Sequence, residues 1–283
     1  MSTNLVDIVK SAGIVGAGGA TFPTHVKIDA EVETVIVNGA ECEPLLRVDQ
    51  QLMTERAADL LVALKAVMDH TKASNGIIGL KKKYVPAIGA LRKELVNYPT
   101  IKLSIMDNFY PAGDEQTLVY ETTGRIVPEG GIPLNVGTLV INVETLLNIY
   151  DMMTEEKPVI DKYITLTGCV GRKLTTKVPL GITVREALEL AGGPTISDFV
   201  IINGGPMMGK IVDIDSYITK GTKGLIVLPK DHYLILSKTR SIRETIKMAG
   251  MACMQCSLCT EVCPRHALGH ALEPHKLMRI AAY

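Results

Sequence analysis

Apolar residues recur along this chain in two rhythms. Over residues 4–12, Leu5, Ile8 and Val9 fall on one helical face. Leu52, Leu60, Leu61, Leu64, Val67 and Met68 keep the same three-to-four spacing and predict one long amphipathic helix. A further helix is expected over 84–97, and "GDEQTLVYETTG" predicts a helix closed by Gly124. The other rhythm is the short, nearly continuous apolar run. "TVIVNGAECEP" reads as a buried strand running into a turn, "GIIGL" and "IKLSIMD" as strands, and "GTLVINVETLLNIYDMM" as a strand leading into a helix. Strands alternating with helices mean an α/β sheet with a parallel component.

After Pro158 the rhythm changes. "DKYITLTGCV" and "KLTTKVPLG" read as a hairpin. Thr183 with Glu186 is a capping box that opens a helix closing on glycine, and "FVIINGGPMMG" is the next strand. Two strands, a helix and more strand in so short a span suggest a small β-grasp-like module, with Met207 and Met208 in its core. Beyond Ser241 the pattern is helical. The boundaries are an α/β domain over 1–157, a β-grasp domain over 158–240 and a helical segment over 241–283.

Composition narrows the function. Thirty basic residues balance thirty acidic ones, and no basic stretch is interleaved with aromatics, which argues against nucleic acid. No apolar run approaches the ~18 residues of a membrane span, and no signal peptide is legible. Cys253, Cys256, Cys259 and Cys263 crowd into one short stretch, far from Cys42 and Cys169. That distribution suits thiolates kept for metal in a reducing cytosol better than a disulfide scaffold. Cys42 and Cys169 read as small buried fillers.

The crowded run is C-x-x-C-x-x-C-x-x-x-C-P, the bacterial ferredoxin spacing for a cubane iron–sulfur cluster. Four thiolates also suit zinc, but the ferredoxin spacing ending in Cys263-Pro264 points to iron–sulfur. His266, His270 and His275 lie nearby and read as surface or capping histidines. In two-cluster ferredoxins the cysteine before proline ligates the other cluster. A lone run therefore leads us to expect a longer protein with a second run. "EPHKLMRIAAY", a helix still in progress at Tyr283, adds to that expectation.

"GAGGAT" is the other candidate site. A dinucleotide fingerprint would need glycine where Thr21 stands, and it should follow a strand rather than a helix. Three glycines in four residues still let the backbone approach a planar or phosphorylated ligand, because no Cβ intervenes. Alone, the loop is equally a plain tight turn. Glu41 and Glu43, taken alone, read as a solvated turn before Pro44.

The loop does not stand alone. "GAGGATFPTHVK", "VNGAECEP", "YPAGDEQTLVYETTGR", "LVINVETL", "NGGPMMG" and "CMQCSLCTEVCPR" follow in one order along nearly the whole chain. Together they resemble the flavoprotein family of the complex I flavin-bearing subunit and the C subunit of Rnf-type ferredoxin:NAD oxidoreductases. "GGPMMG" and "CPRHALGHALEPHKLMR" look most like its cobalamin-reductase branch. The resemblance implies an FMN-binding α/β domain, a β-grasp domain of the soluble-ligand-binding type and a helical 4Fe–4S segment. It implies FMN contacts from Gly16, Gly18, Lys27, Asn38, Glu41, Gly113, Asp114 and Asn142. Lys27 would lie near the phosphate or ribityl oxygens. Gly19, Ala20, Phe22, Glu43 and Glu115 match positions that face nicotinamide nucleotide.

Two positions depart from the complex I pattern: Ala40 replaces an aspartate and Asp114 a glutamate. The function implied is a cytoplasmic enzyme, within a bacterial microcompartment for that branch, passing electrons from NADH through FMN and a 4Fe–4S cluster to a corrinoid. Its partner would be a corrinoid enzyme or another one-electron acceptor protein. The rivals are an Rnf-type C subunit and a non-catalytic adaptor whose β-grasp module binds a ligand or partner.

Overall fold

The computed structural model describes residues 4–282. Four strands, β1 (Thr34–Asn38), β2 (Asn75–Lys81), β3 (Ile101–Met106) and β4 (Thr138–Asn142), pair in the order β3-β2-β1-β4, all parallel. Around them lie α1 (Leu5–Ser11), α2 (Thr24–Ile28), α3 (Val48–Glu55), α4 (Ala57–His70), α5 (Val85–Glu94), α6 (Glu115–Thr123) and α7 (Val143–Glu155). The continuous apolar runs are explained by burial of the sheet on both faces. Val35, Val37, Leu139 and Ile141 join the core under α4 and α7, while Ile36 and Val140 turn to a second core with Leu118 and Val119 of α6.

The expected single helix through Leu52 and Met68 is two helices, α3 and α4. The chain breaks at Arg56, whose φ of −127° and ψ of 38° lie outside the helical region. Its guanidinium reaches Asp59 at 2.8 Å and Asp151 of α7 at 2.6 Å. The apolar stripe runs through both helices, so periodicity alone does not reveal the break.

A second sheet contains β5 (Asp161–Gly168), β6 (Leu174–Pro179), β7 (Phe199–Asn203), β8 (Lys210–Val212) and β9 (Gly224–Pro229), in the order β6-β5-β9-β7-β8. β5 and β6 form the expected hairpin, and β9 inserts parallel beside β5. This is a β-grasp arrangement, with α8 (Val184–Glu189) packed on the sheet and opened by the Thr183–Glu186 capping box. Met207 and Met208 are not in its core: they lie in the turn between β7 and β8, 45% and 80% exposed. The core is built instead from Ile164, Leu166, Ile201, Leu225 and Val227 with α8.

The two sheets are tied by buried polar contacts. Lys162 of β5 pairs with Glu144 of α7, both side chains 2% exposed, and also donates to the Ala17 carbonyl. Arg47 N–H donates to Thr165 Oγ1 at 3.0 Å. After α9 (Tyr233–Thr239), the chain continues as α10 (Ile242–Ala252), α11 (Leu258–Glu261), α12 (Pro264–Ala267) and α13 (Pro274–Ala282). No helix among the described residues is long and apolar enough to cross a membrane.

Candidate functional site

Ligands of open α/β sheets bind outside the carboxyl ends of the strands. Here Asn38 and Asn142, the last residues of β1 and β4, stand side by side in register at that edge. Their side chains knit the loops together. Asn38 Nδ2 donates to the Gly113 carbonyl at 2.8 Å, and Ala40 N–H donates back to Asn38 Oδ1 at 3.2 Å. Asn142 caps α7 and donates to Asp49 Oδ2 at 3.2 Å.

The glycine loop faces these asparagines. Gly16 N–H donates to Phe22 O at 2.8 Å and Thr21 N–H to Gly16 O, closing the loop on itself, while Ala17 N–H donates to Thr145 Oγ1 at 2.9 Å. Between loop and strand ends lies a cleft of about 310 Å³, at the lower end of the ~300–1,000 Å³ range of small-molecule sites. Gly16, Gly18, Lys27, Asn38, Glu41, Gly113 and Asn142 line it. Ala20, Phe22 and Glu115 line it as well. At its mouth Lys27 Nζ meets Glu115 Oε1 at 2.8 Å, with Glu115 about half exposed. Gly113 must be glycine: an added Cβ would collide with the Ala40 carbonyl oxygen.

Three predicted residues are placed differently. Asp114 does not line the cleft. Its carboxylate caps α6 through Thr117 N–H and is gripped by both terminal nitrogens of Arg265, at 2.7 and 2.8 Å. Gly19 and Glu43 open instead onto a neighbouring cavity of about 640 Å³ beside the "NGGPMMG" turn. There Glu43 accepts the N–H groups of Met207 and Met208 at 2.9 and 2.6 Å, and a Cβ at Gly205 would strike it. The two cavities share Gly18, Ala20, Glu41 and Lys223.

Glu41 is not a solvated turn residue. It is 12% exposed in its side chain and lies 2.7 Å from Lys223 Nζ. Burial works to raise its carboxyl, but Lys223 and the N–H of Glu43 more than offset that and hold it below the usual range. Asp49, Lys223 and Thr145 also line the cleft and carry no signal in the sequence. Asp49 looks like an ordinary acid in a helix's first turn, and Lys223 like a loop lysine in "KGTKG". Cys42 is half-buried, accepts Gly113 N–H at 2.9 Å, and has its thiol pushed up by burial. Cys169 is partly buried against the β-grasp core.

The cysteine run does not line the cleft. Cys253 caps the end of α10 and Cys263 precedes α12, both half-buried; Cys256 and Cys259 are exposed. Gln255 and Ser257 take left-handed φ values of 60° and 64°, which turn the chain tightly between the thiols. The donor chemistry suits an iron–sulfur cluster. The side chains are not drawn together: among the described residues no three His, Cys, Asp or Glu groups converge as a metal site. His270 is buried against Val127 O at 2.9 Å, and His275 meets Thr260 Oγ1 at 2.7 Å, so both rings have partners.

Residues 9–151 match the Nuo51 FMN-binding domain of the complex I flavin-bearing subunits. The chain belongs to this flavoprotein family. Residues 252–283 match a 4Fe–4S dicluster domain. The chain is 48% identical to the cobalamin reductase PduS of Citrobacter freundii over 276 residues, 97% of this chain and 61% of that protein. It is 36% identical over 265 residues to the C subunit of the Na(+)-translocating ferredoxin:NAD(+) oxidoreductase complex of Acetobacterium woodii, 92% of this chain and 57% of that one. It thus spans about three-fifths of the length of these curated relatives. Among solved structures, an NAD+-reducing [NiFe]-hydrogenase chain has the same fold, with a TM-score of 0.66 at 19% identity, covering 98% of this chain and 56% of its own.

The cleft fits the family's flavin. Gly18 presents no side chain to the cleft, and a Cβ there would come into contact with Asn142. Asp49 Oδ1, deep in the opposite wall, is a buried polar atom with no partner within the protein. Both features suit a flat ligand bearing polar groups along its edge.

Proposed function

We propose that this chain is the flavin-bearing part of an NADH-dependent electron-transfer oxidoreductase of the cobalamin-reductase kind. The observation that carries the reading is the cleft between the glycine loop and the ends of β1 and β4, lined by Gly16, Gly18, Lys27, Asn38, Glu41, Gly113 and Asn142. A bound flavin supplies the exchange between a two-electron hydride and single electrons.

The protein's own residues bind and orient. Gly16 and Gly18 would let the backbone approach the flavin, which Asn38, Gly113 and Asn142 would help to hold. Lys27, drawn from Glu115, meets phosphate or ribityl oxygens. Ala20, Phe22 and Glu115 receive the nicotinamide nucleotide at the mouth, with Gly19 and Glu43 in the adjoining cavity. Cys253, Cys256 and Cys259 would ligate one iron–sulfur cluster, and Cys263, before proline, a second. The acceptor is a corrinoid or a corrinoid enzyme, as the cobalamin reductase at 48% identity suggests. Its place of work on this reading is the cytoplasm or a bacterial microcompartment. The relative at 36% identity keeps a second reading in view, a C subunit of an Rnf-type complex.

Anaerobic reconstitution with FMN, followed by NADH, tests the proposal. The bound flavin is expected to bleach and then to reduce a corrinoid. If NADH leaves the bound flavin oxidised, the dehydrogenase reading falls. If the reduced flavin passes electrons to ferredoxin but not to corrinoid, the Rnf-type reading replaces it.

A further inference from the structure

Asp49 stands in the first turn of α3, 2% exposed, and lines the flavin cleft. Its two oxygens are unequally served. Oδ2 accepts from Lys223 Nζ at 2.6 Å and from Asn142 Nδ2 at 3.2 Å, whereas Oδ1 has no hydrogen-bond partner. Buried polar atoms are nearly always satisfied, so an orphan in the wall of a cleft points to a ligand atom that completes it. Lys223 comes from the other sheet. It immediately precedes β9, is 6% exposed, and divides its ammonium between Asp49 and Glu41 at 2.6 and 2.7 Å. One side chain of the β-grasp module thus forms part of the wall of the α/β domain's cleft.

We propose that Asp49 is a flavin-contacting residue, bonding the cofactor through Oδ1, and that Lys223 is the positioning residue that holds it there, so that the β-grasp module completes the flavin site. The proposal rests on the flavin reading above. Charge balance indicates which way the bond runs. Two carboxylates share one ammonium, which leaves an excess negative charge where burial makes charge expensive. Burial pushes the Asp49 carboxyl up, Lys223 restrains it, and Glu41 pushes it further up, so it ends above the usual aspartate range. Glu41 ends below its own. Of the two carboxyls, Asp49 is therefore the more readily protonated. With Oδ2 already accepting twice, Oδ1 is the atom left for the cofactor, and a proton there would let Asp49 donate. A neutral donor suits the carbonyl and imine acceptors along a flavin's edge, and adds no negative charge beside an anionic cofactor.

The test uses the whole chain, titrated with FMN by fluorescence quenching, with thermal unfolding of each apoprotein to verify folding. Asp49→Asn keeps the shape and a donor, and should bind FMN within about threefold of the unsubstituted protein. Asp49→Ala removes the donor and should weaken binding about tenfold, the size expected for one buried hydrogen bond. The visible spectrum of the bound flavin should shift in Asp49→Ala and in Lys223→Met, with Lys223→Arg restoring it in part; a merely structural role would lower only the melting temperature. If Asp49→Ala does not fold, the infrared carbonyl bands of flavin bound to Asp49→Asn decide: they move if Asp49 touches the ring. Unchanged affinity and spectrum in Asp49→Ala, or unmoved bands in Asp49→Asn, overturn the contact. A normal flavin spectrum in Lys223→Met overturns the positioning role. An unsubstituted protein that takes up no FMN overturns both this assignment and the flavin reading beneath it.

Discussion

Arg265 grips Asp114 with a two-pronged bond, Nη1 to Oδ1 at 2.7 Å and Nη2 to Oδ2 at 2.8 Å. Arg265 lies two residues beyond Cys263, and Asp114 directly follows the cleft residue Gly113. The pair, with His270 on Val127 O and Ala271 N–H on Glu129, fastens the cysteine-bearing segment beside the cleft.

Removing that grip should loosen the segment more than the cleft. Both side chains are about a third exposed, so the pair is worth about 1 kcal/mol despite its good geometry. In Arg265→Ala, amide hydrogens over 265–271 are expected to exchange about fivefold faster, with FMN affinity nearly unchanged. Arg265→Lys should not restore protection, because an ammonium cannot make the forked contact. Unchanged exchange in Arg265→Ala would show that the segment is held by other means.

Gly113→Ala should act on the cleft itself. Its Cβ meets the backbone at Ala40 O and C, as well as Cys42 Sγ, so no side-chain rotation relieves the clash. A loss of roughly 2 kcal/mol in stability, with FMN binding weakened at least tenfold, is expected from strain of this kind. Urea unfolding and flavin titration measure the two effects separately.

Lys162→Met should be among the most damaging single changes. It leaves Glu144 uncompensated in an environment where both side chains are 2% exposed, which costs about 3–5 kcal/mol. Lys162→Met with Glu144→Gln should recover a good part of that, although Glu144 also accepts Tyr163 N–H at 2.9 Å. A double variant no more stable than the single one would argue against the ion pair as the cause.

The pH dependence of stability should carry the signature of Asp49. Its raised folded value means that the unfolded chain releases the proton first. The stability it contributes is then full below the ordinary aspartate range and is lost as pH rises through the folded value. Glu41, held low, contributes in the opposite sense: its stability is present above the ordinary glutamate range and lost as pH falls through its folded value. The groups facing Asp49 are Lys223, Glu41 and Asn142, with the Lys162–Glu144 pair behind. Asp49→Asn removes the Asp49 contribution and leaves the Lys223 charge to Glu41 alone, which holds Glu41 lower still. Its stability relative to the unsubstituted protein should therefore rise from about pH 4 upward and then level off. A flat difference in urea midpoints over that range would mean that Asp49 is not held protonated.

Much of this protein is written locally. "TVIVN" and "TLVIN" declare buried strands because both of their faces are covered, and Thr183–Glu186 declares a helix start because a capping box needs only its own turn. The cysteine run is legible for the same reason, because its chemistry resides in neighbouring residues; the glycine loop is legible only together with the other motifs along the chain. What the tertiary structure alone decided is which distant charges meet. Asp49 and Lys223 are 174 positions apart, Asp114 and Arg265 151, and Glu43 and Met207 164. No spacing rule links such residues, because their pairing follows from how two sheets and a helical tail pack. The break at Arg56 is of the same kind, since the partner that draws its guanidinium out of the helical register, Asp151, lies on α7. Periodicity reports which face a residue turns to the core; only the packed structure determines what it finds there, and for a buried charge that partner sets both its protonation and its role.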